Sequence, residues 1–105
     1  GRELAKFYLR VIEVLGWASR AELVEFDPEE GRVVVRTWGS FEAGMRLGSG
    51  FLCHFIRGEL TGFFSAMFKK GLYGTEVKCE GRGDPYCEFV IAPKPFEFGK
   101  ELGKE

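Results

Sequence analysis

From Glu3 to Leu15 the apolar residues Leu4, Tyr8, Val11 and Leu15 recur at helical spacing. Ala5 and Ile12 sit beside them, and Lys6, Arg10 and Glu13 fall between. The pattern predicts an amphipathic helix, and Gly16 suits the left-handed position just past its end. Ser19 to Phe26 and Arg32 to Trp38 are short runs rich in Val, Leu, Phe and Trp, joined by Asp27-Pro28-Glu29-Glu30-Gly31. They read as a β-hairpin with a five-residue loop. Between Gly39 and Gly50 glycine and serine mark an irregular connection, in which Phe41, Met45 and Leu47 offer a short packed piece.

A second helix is expected from about Phe51 to Lys70, capped by Ser49 and closed by Lys69, Lys70 and Gly71. Leu52, Phe55, Ile56, Leu60, Phe63 and Met67 form its apolar stripe, with Phe64 and Cys53 on the flank. Gly58 and Gly62 lie on one side of this helix and weaken it relative to Ala. They point to close approach by a neighbouring element or a ligand. Tyr73 to Glu80 and Tyr86 to Ala92 then form a second hairpin across Gly81-Arg82-Gly83-Asp84-Pro85. Helix and hairpin, twice over, predict an α+β fold in which an antiparallel sheet packs on a long central helix. Residues 1–93 form one domain in this reading, and 94–105 a peripheral tail pinned by Phe96 and Phe98.

Length agrees, since 105 residues suffice for one compact core and little more. The formal charge of -1 supplies no basic excess to recruit a nucleic-acid backbone or an anionic membrane. No apolar run reaches the roughly 18 residues of a membrane span, and Gly1-Arg2-Glu3 does not open like a secretory signal. A soluble cytoplasmic protein is expected. Eleven Phe serve equally as core filling or as the lining of a cavity for a flat, greasy ligand.

The cysteines change the picture. Cys53, Cys79 and Cys87 are an odd set without a secretory context, which argues against a disulfide framework. Cys79 and Cys87 flank the second turn, where hairpin pairing can bring both sulfurs to one metal ion, and Cys53 can add a third from the start of the helix. Two residues compete as fourth ligand. His54 follows Cys53 by about 100° around the helix and points away from the apolar stripe. Glu76, three residues before Cys79, falls on the opposite face of a regular strand unless a bulge intervenes. Spacing alone leaves both open, along with three reduced, metal-free cysteines.

The run Cys53-His-Phe-Ile-Arg-Gly58-Glu-Leu-Thr-Gly62, with Glu76-Val-Lys-Cys79 and Gly81-Arg-Gly-Asp-Pro-Tyr-Cys87 after it, resembles the 4-vinyl reductase domain family over about residues 44–92. In related sensor domains of aromatic-responsive bacterial activators, three Cys and one Glu hold a structural zinc in the order Cys, Glu, Cys, Cys. The resemblance therefore implies Cys53, Glu76, Cys79 and Cys87 as zinc ligands. It also implies a fold like that of the vesicle-tethering TRAPP subunits, a hydrophobic pocket for small aromatic, hydrocarbon or lipid-like ligands, and a homodimer. Arg57, Lys78 and Arg82 are near enough in sequence to offset the negative charge of such a site.

One His, and the absence of a Gly-x-Ser-x-Gly, dinucleotide or P-loop motif, leave no nucleophile and base to pair, so a binding module is expected rather than an enzyme. Glu59 falls within the apolar stripe among Phe55, Ile56 and Phe63. It either anchors a ligand hydroxyl or amine, or reaches solvent past the glycines. The expected ligand-binding set is Phe55, Ile56, Glu59, Phe63, Met67, Trp38 and Tyr73, with Trp17 near them. Two other readings follow from the resemblance: an accessory subunit of tetrapyrrole vinyl reduction, which would need an external electron donor, and a ligand-free protein-interaction module.

Overall fold

A computed structural model describes residues 1–40 and 51–97. In chain order it contains α1 (Arg2–Val14), β1 (Arg20–Asp27), β2 (Arg32–Trp38), α2 (Phe51–Phe68), β3 (Tyr73–Lys78), a 3-10 turn (Glu80–Arg82) and β4 (Cys87–Ala92). Ser49, the expected cap of α2, lies outside the described residues, as do Phe98 and the side chain of Leu52. No helix among the described residues is long and apolar enough to cross a membrane.

The strands form an antiparallel sheet in the order β1-β2-β4-β3. Each hairpin pairs within itself, and β2 joins β4 so that the two hairpins become one sheet. Strand alternation sorts the side chains. Val33, Val35 and Thr37 of β2 face inward opposite Ile91, Phe89 and Cys87 of β4, and all six are fully buried. Arg36 and Glu88 face outward and pair at 2.9 Å. Both helices cover the inner face, α1 over β1 and α2 over β3 and β4. The core is continuous from Ala5, Leu9 and Ile12 through Ile56, Leu60 and Phe64 to the sheet. Each of the larger side chains contributes about 1.5–3 kcal/mol by leaving water.

Much of the Phe content is packing. Phe64 and Phe89 are fully buried, and Phe26 lies against Phe64 and Phe68 with ring centroids 6.4 and 5.7 Å apart.

The buried face of α1 is Ala5, Leu9 and Ile12, rotated from the expected stripe. Leu4 and Leu15 are 54% and 55% exposed, Phe7 and Val14 66% and 85%. Apolar residues surround most of this helix, so periodicity could not select the face that the sheet would cover. The helix ends as expected, with Gly16 at φ 79 and the Trp17 amide donating to the Ile12 carbonyl at 3.1 Å.

The second helix buries Cys53, Ile56, Leu60 and Phe64, so the expected flank lies at the centre of the contact. It stops at Phe68, before the expected Lys70. Lys69 takes the left-handed conformation at φ 55, and the Lys70 amide returns to the Ser65 carbonyl at 3.1 Å. Close approach occurs elsewhere than expected. Among the described residues nothing lies within 4 Å of a Cβ built on Gly58 or Gly62, and both are exposed. The glycine pressed against α2 is Gly74 of β3, where a Cβ would collide with the Thr61 side chain and meet Arg57 Cγ at 3.4 Å. Thr61 is itself held by donating to the Arg57 carbonyl at 2.6 Å.

Opposite outcomes are expected from the same substitution at these sites. Gly58→Ala and Gly62→Ala should each stabilise the chain by roughly 0.5–1 kcal/mol through helix propensity. Gly74→Ala should cost about 1–3 kcal/mol by overpacking. Urea unfolding of the three variants distinguishes them, and a loss at Gly58 or Gly62 would mean that those glycines do have a neighbour.

Candidate metal centre

Three elements converge at the second turn. Cys53 lies in the first turn of α2, Glu76 on β3, Cys79 just after β3 and Cys87 at the start of β4. Their donor atoms all lie within 4.8 Å of one another. A tetrahedral site with Zn–S bonds of about 2.3 Å sets its sulfurs roughly 3.8 Å apart, so the cluster is of the right size.

A strand irregularity makes this possible. Glu76 pairs with the inward-facing Phe89, whereas Lys78 pairs with the outward-facing Glu88, because the register slips between them at Val77. In a regular strand residues 76 and 78 would share a face. The slip turns Lys78 outward, where its Nζ lies 3.1 Å from the Tyr86 hydroxyl, and lets Cys79 follow Glu76 inward. Cys79 keeps an extended backbone at φ -146 and ψ 127. Its amide donates to Asp84 Oδ2 at 2.9 Å, and its carbonyl accepts from the Arg82 and Asp84 amides at 3.0 and 3.2 Å. The turn thus holds the Cys79 backbone from both ends.

The donor set suits a borderline-soft cation. Cys53 and Cys87 are buried, and Glu76 and Cys79 are half-buried. Among the described residues Glu76 Oε2 is buried without a hydrogen-bond partner, a costly state for a carboxylate oxygen that a metal ion would relieve. Three thiolates and one carboxylate match the ligands of structural zinc.

The thiols divide in protonation. A hydrogen bond to Cys87, then burial and neighbouring negative charge, pushes the Cys53 thiol far up. The same hydrogen bond from Cys53, aided by the Ser40 hydroxyl and the Glu80 amide, brings the Cys87 thiol down against the effect of burial. Burial pushes Cys79 up, with Gly81 and Arg82 opposing. Zinc must therefore displace protons held by Cys53 and Cys79, and its binding strengthens as the pH rises.

His54 is exposed and faces Arg57 at 3.5 Å, in keeping with its place on the helix. Of the three expected offsetting cations, Arg82 acts on Cys79, while Lys78 and Arg57 are engaged with Tyr86 and His54.

The residues expected to bind a ligand fall into two groups. Tyr8 stacks on Phe63 at 4.0 Å and 2° between α1 and α2, and Trp17 meets Phe55 edge-on at 4.6 Å. Glu59 is exposed rather than buried, and accepts from the Tyr8 hydroxyl at 3.4 Å. Ile56 lies beneath them in the core, and Met67 is half-buried against it. Trp38 and Tyr73 are separate from this seam, because strand alternation turns both to the sheet face away from the helices. Trp38 there lies under Arg20 at 4.8 Å and beside Tyr86 at 5.7 Å. A different cleft, of about 530 Å³, runs between α1 and β1 and is lined by residues such as Lys6, Phe7, Arg10 and Leu23. Sequence reasoning did not find it, since its walls come from two elements whose contact no local pattern encodes.

Burial, and then the Glu59 carboxylate, push the Tyr8 phenol up to about 12. The folded chain thus holds this proton above the ordinary value of 10.0. Tyr8's contribution to stability is full below that value and drains away as the pH climbs through the folded one. A phenolate absorbance titration should show a transition near pH 12 that is lost in Tyr8→Phe. Its persistence in the variant would reassign the shift.

Comparison with known proteins gives two findings. A family model for the 4-vinyl reductase domain matches residues 35–93, more than half of the chain and all four clustered residues. Two uncharacterized proteins of Methanocaldococcus jannaschii are each 40% identical over 40 residues, 38% of this chain. Those alignments cover 23% and 25% of the relatives, so the chain spans about a quarter of the length of the curated relatives it matches.

Proposed function

The chain belongs to the 4-vinyl reductase domain family, and from that we propose that it is a small-molecule-binding or sensor domain clamped by one structural zinc ion. The observation that carries the clamp is the convergence of Cys53, Glu76, Cys79 and Cys87, with an oxygen of Glu76 buried and, among the described residues, unpartnered. Four protein ligands close a tetrahedral site and leave no position for an activated water, so the metal would be structural. It would tie the start of α2 to the β3–β4 turn.

The ligand, in this reading, is aromatic, hydrocarbon or lipid-like and lies along the seam between the helices. Phe55, Phe63 and Met67 supply apolar contact over Ile56, and the Glu59–Tyr8 pair offers a polar handle to a hydroxyl or amine. The cytoplasm, where thiols stay reduced, suits such a site.

A homodimer has its own support. Leu4, Phe7, Val11 and Val14 of α1 are spaced 3-4-3, as in a coiled-coil seam, and all but the half-buried Val11 are exposed. The spacing reads alike from either end. An antiparallel second copy would set Leu4 against the partner's Val14 and Phe7 against the partner's Val11.

Native mass spectrometry of freshly purified protein tests these readings together. The expected result is one zinc-sized increment per chain, a further dissociable organic mass, and a dimer that Phe7→Glu separates. Cys79→Ser should lose the zinc and lower the melting temperature by several degrees. An apo chain with three free thiols would overturn the clamp. Monomers in the wild type would overturn the dimer, and the absence of any organic mass or of binding by a panel of small aromatics would overturn the ligand.

A further inference from the structure

Behind Cys87 lies a polar network that the four ligands do not account for. Ser40, just beyond the end of β2, is fully buried, and its Oγ lies 3.4 Å from Cys87 Sγ, 3.3 Å from Glu80 Oε1 and 3.4 Å from Thr37 Oγ1. Thr37 is fully buried as well. The Glu80 amide donates to Cys87 Sγ at 3.4 Å, the protonated Cys87 thiol donates to Glu80 Oε1 at 3.7 Å, and the Glu80 carboxylate accepts the Gly39 amide at 3.1 Å through its other oxygen. Two donors from different parts of the chain therefore converge on one sulfur. A carboxylate ties those parts together.

A hydroxyl has a single proton to give. In Ser40 it is shared between a sulfur and a carboxylate, while Thr37 can donate to the Ser40 oxygen from behind. Three thiolates and a carboxylate around a divalent cation carry excess negative charge, and hydrogen bonds to the sulfurs are the ordinary way to disperse it. We infer that Ser40 and the Glu80 amide are positioning donors to the metal-bound Cys87 thiolate, and that metal loading thereby fixes the Gly39–Ser40 corner where the chain leaves β2. This rests on the zinc reading above. It adds a pair of residues outside the ligand set and a coupling between the metal and β2.

Zinc affinity, measured by competition with a chromophoric chelator, should fall tenfold or more in Ser40→Ala. The cobalt-substituted protein should show its sulfur-to-metal charge-transfer band at longer wavelength in the variant, since a thiolate without its donor gives up charge more readily. In wild-type protein, zinc should slow hydrogen exchange at the Gly39 amide, and less so in Ser40→Ala. Equal affinity and an unshifted band in Ser40→Ala would overturn the role of Ser40 while leaving the zinc site intact. A wild-type chain that takes up neither zinc nor cobalt would instead overturn the metal reading itself. Should Ser40→Ala fail to fold, wild-type protein loaded with cadmium-113 decides. A scalar coupling between the metal and the Glu80 amide proton, passed through Cys87 sulfur, is expected, and its absence would overturn the proposed donor shell.

Discussion

A strand cannot present residues three apart on one face unless its register slips, and the candidate metal centre depends on that slip. At Val77 the pairing of β3 with β4 moves by one residue, so that Glu76 lies opposite Phe89 and Lys78 opposite Glu88. With period-two alternation intact, Cys79 would point to the outer face and the four donors could not meet. The bulge costs some ladder hydrogen bonding. What it gains is a carboxylate and a thiol side by side beneath the first turn of α2.

The slip matters because the rest of the fold is arranged around the same corner. Pairing of β2 with β4 makes one sheet of two hairpins and sets Cys87 opposite Thr37 on the covered face. Gly74 lets β3 come close under Thr61, which brings the helix that carries Cys53 down onto the turn. A core drawn from about a hundred residues leaves a modest margin of stability. A metal that joins a helix to a turn would add to that margin where the sheet meets the start of α2.

The sequence made some of this legible and hid other parts for definable reasons. The first hairpin's boundaries came through because a Pro and Gly cluster separates β-rich runs at Asp27 to Gly31, whereas β3 ends at Lys78 rather than at the expected Glu80, which opens a 3-10 turn. Alternation in β3 stated that Glu76 needed a bulge to reach Cys79, and helical rotation pointed His54 away from the apolar stripe; both arguments follow from geometry within one element, and the choice between the two residues came from the family resemblance. What failed needed knowledge between elements. Nothing in α1 told Leu9 from Leu4, since each sits on an apolar arc and only the position of the sheet chooses. The glycines of α2 were read as signs of contact, yet the glycine in contact is Gly74. Ser40 and Glu80 were passed over because ordinary polar residues become informative only once a sulfur is seen beside them.

Both outer strands of the sheet are irregular: β1 slips between Leu23 and Glu25 as β3 does at Val77. A flat, regular edge would offer its unpaired amides and carbonyls to any extended chain that came near, whereas a kinked one does not template a neighbour well. The bulge that brings the four candidate donors together thus has a second effect, on colloidal behaviour. It blunts one margin of the sheet against runaway strand addition, while the slip in β1 does the same at the other.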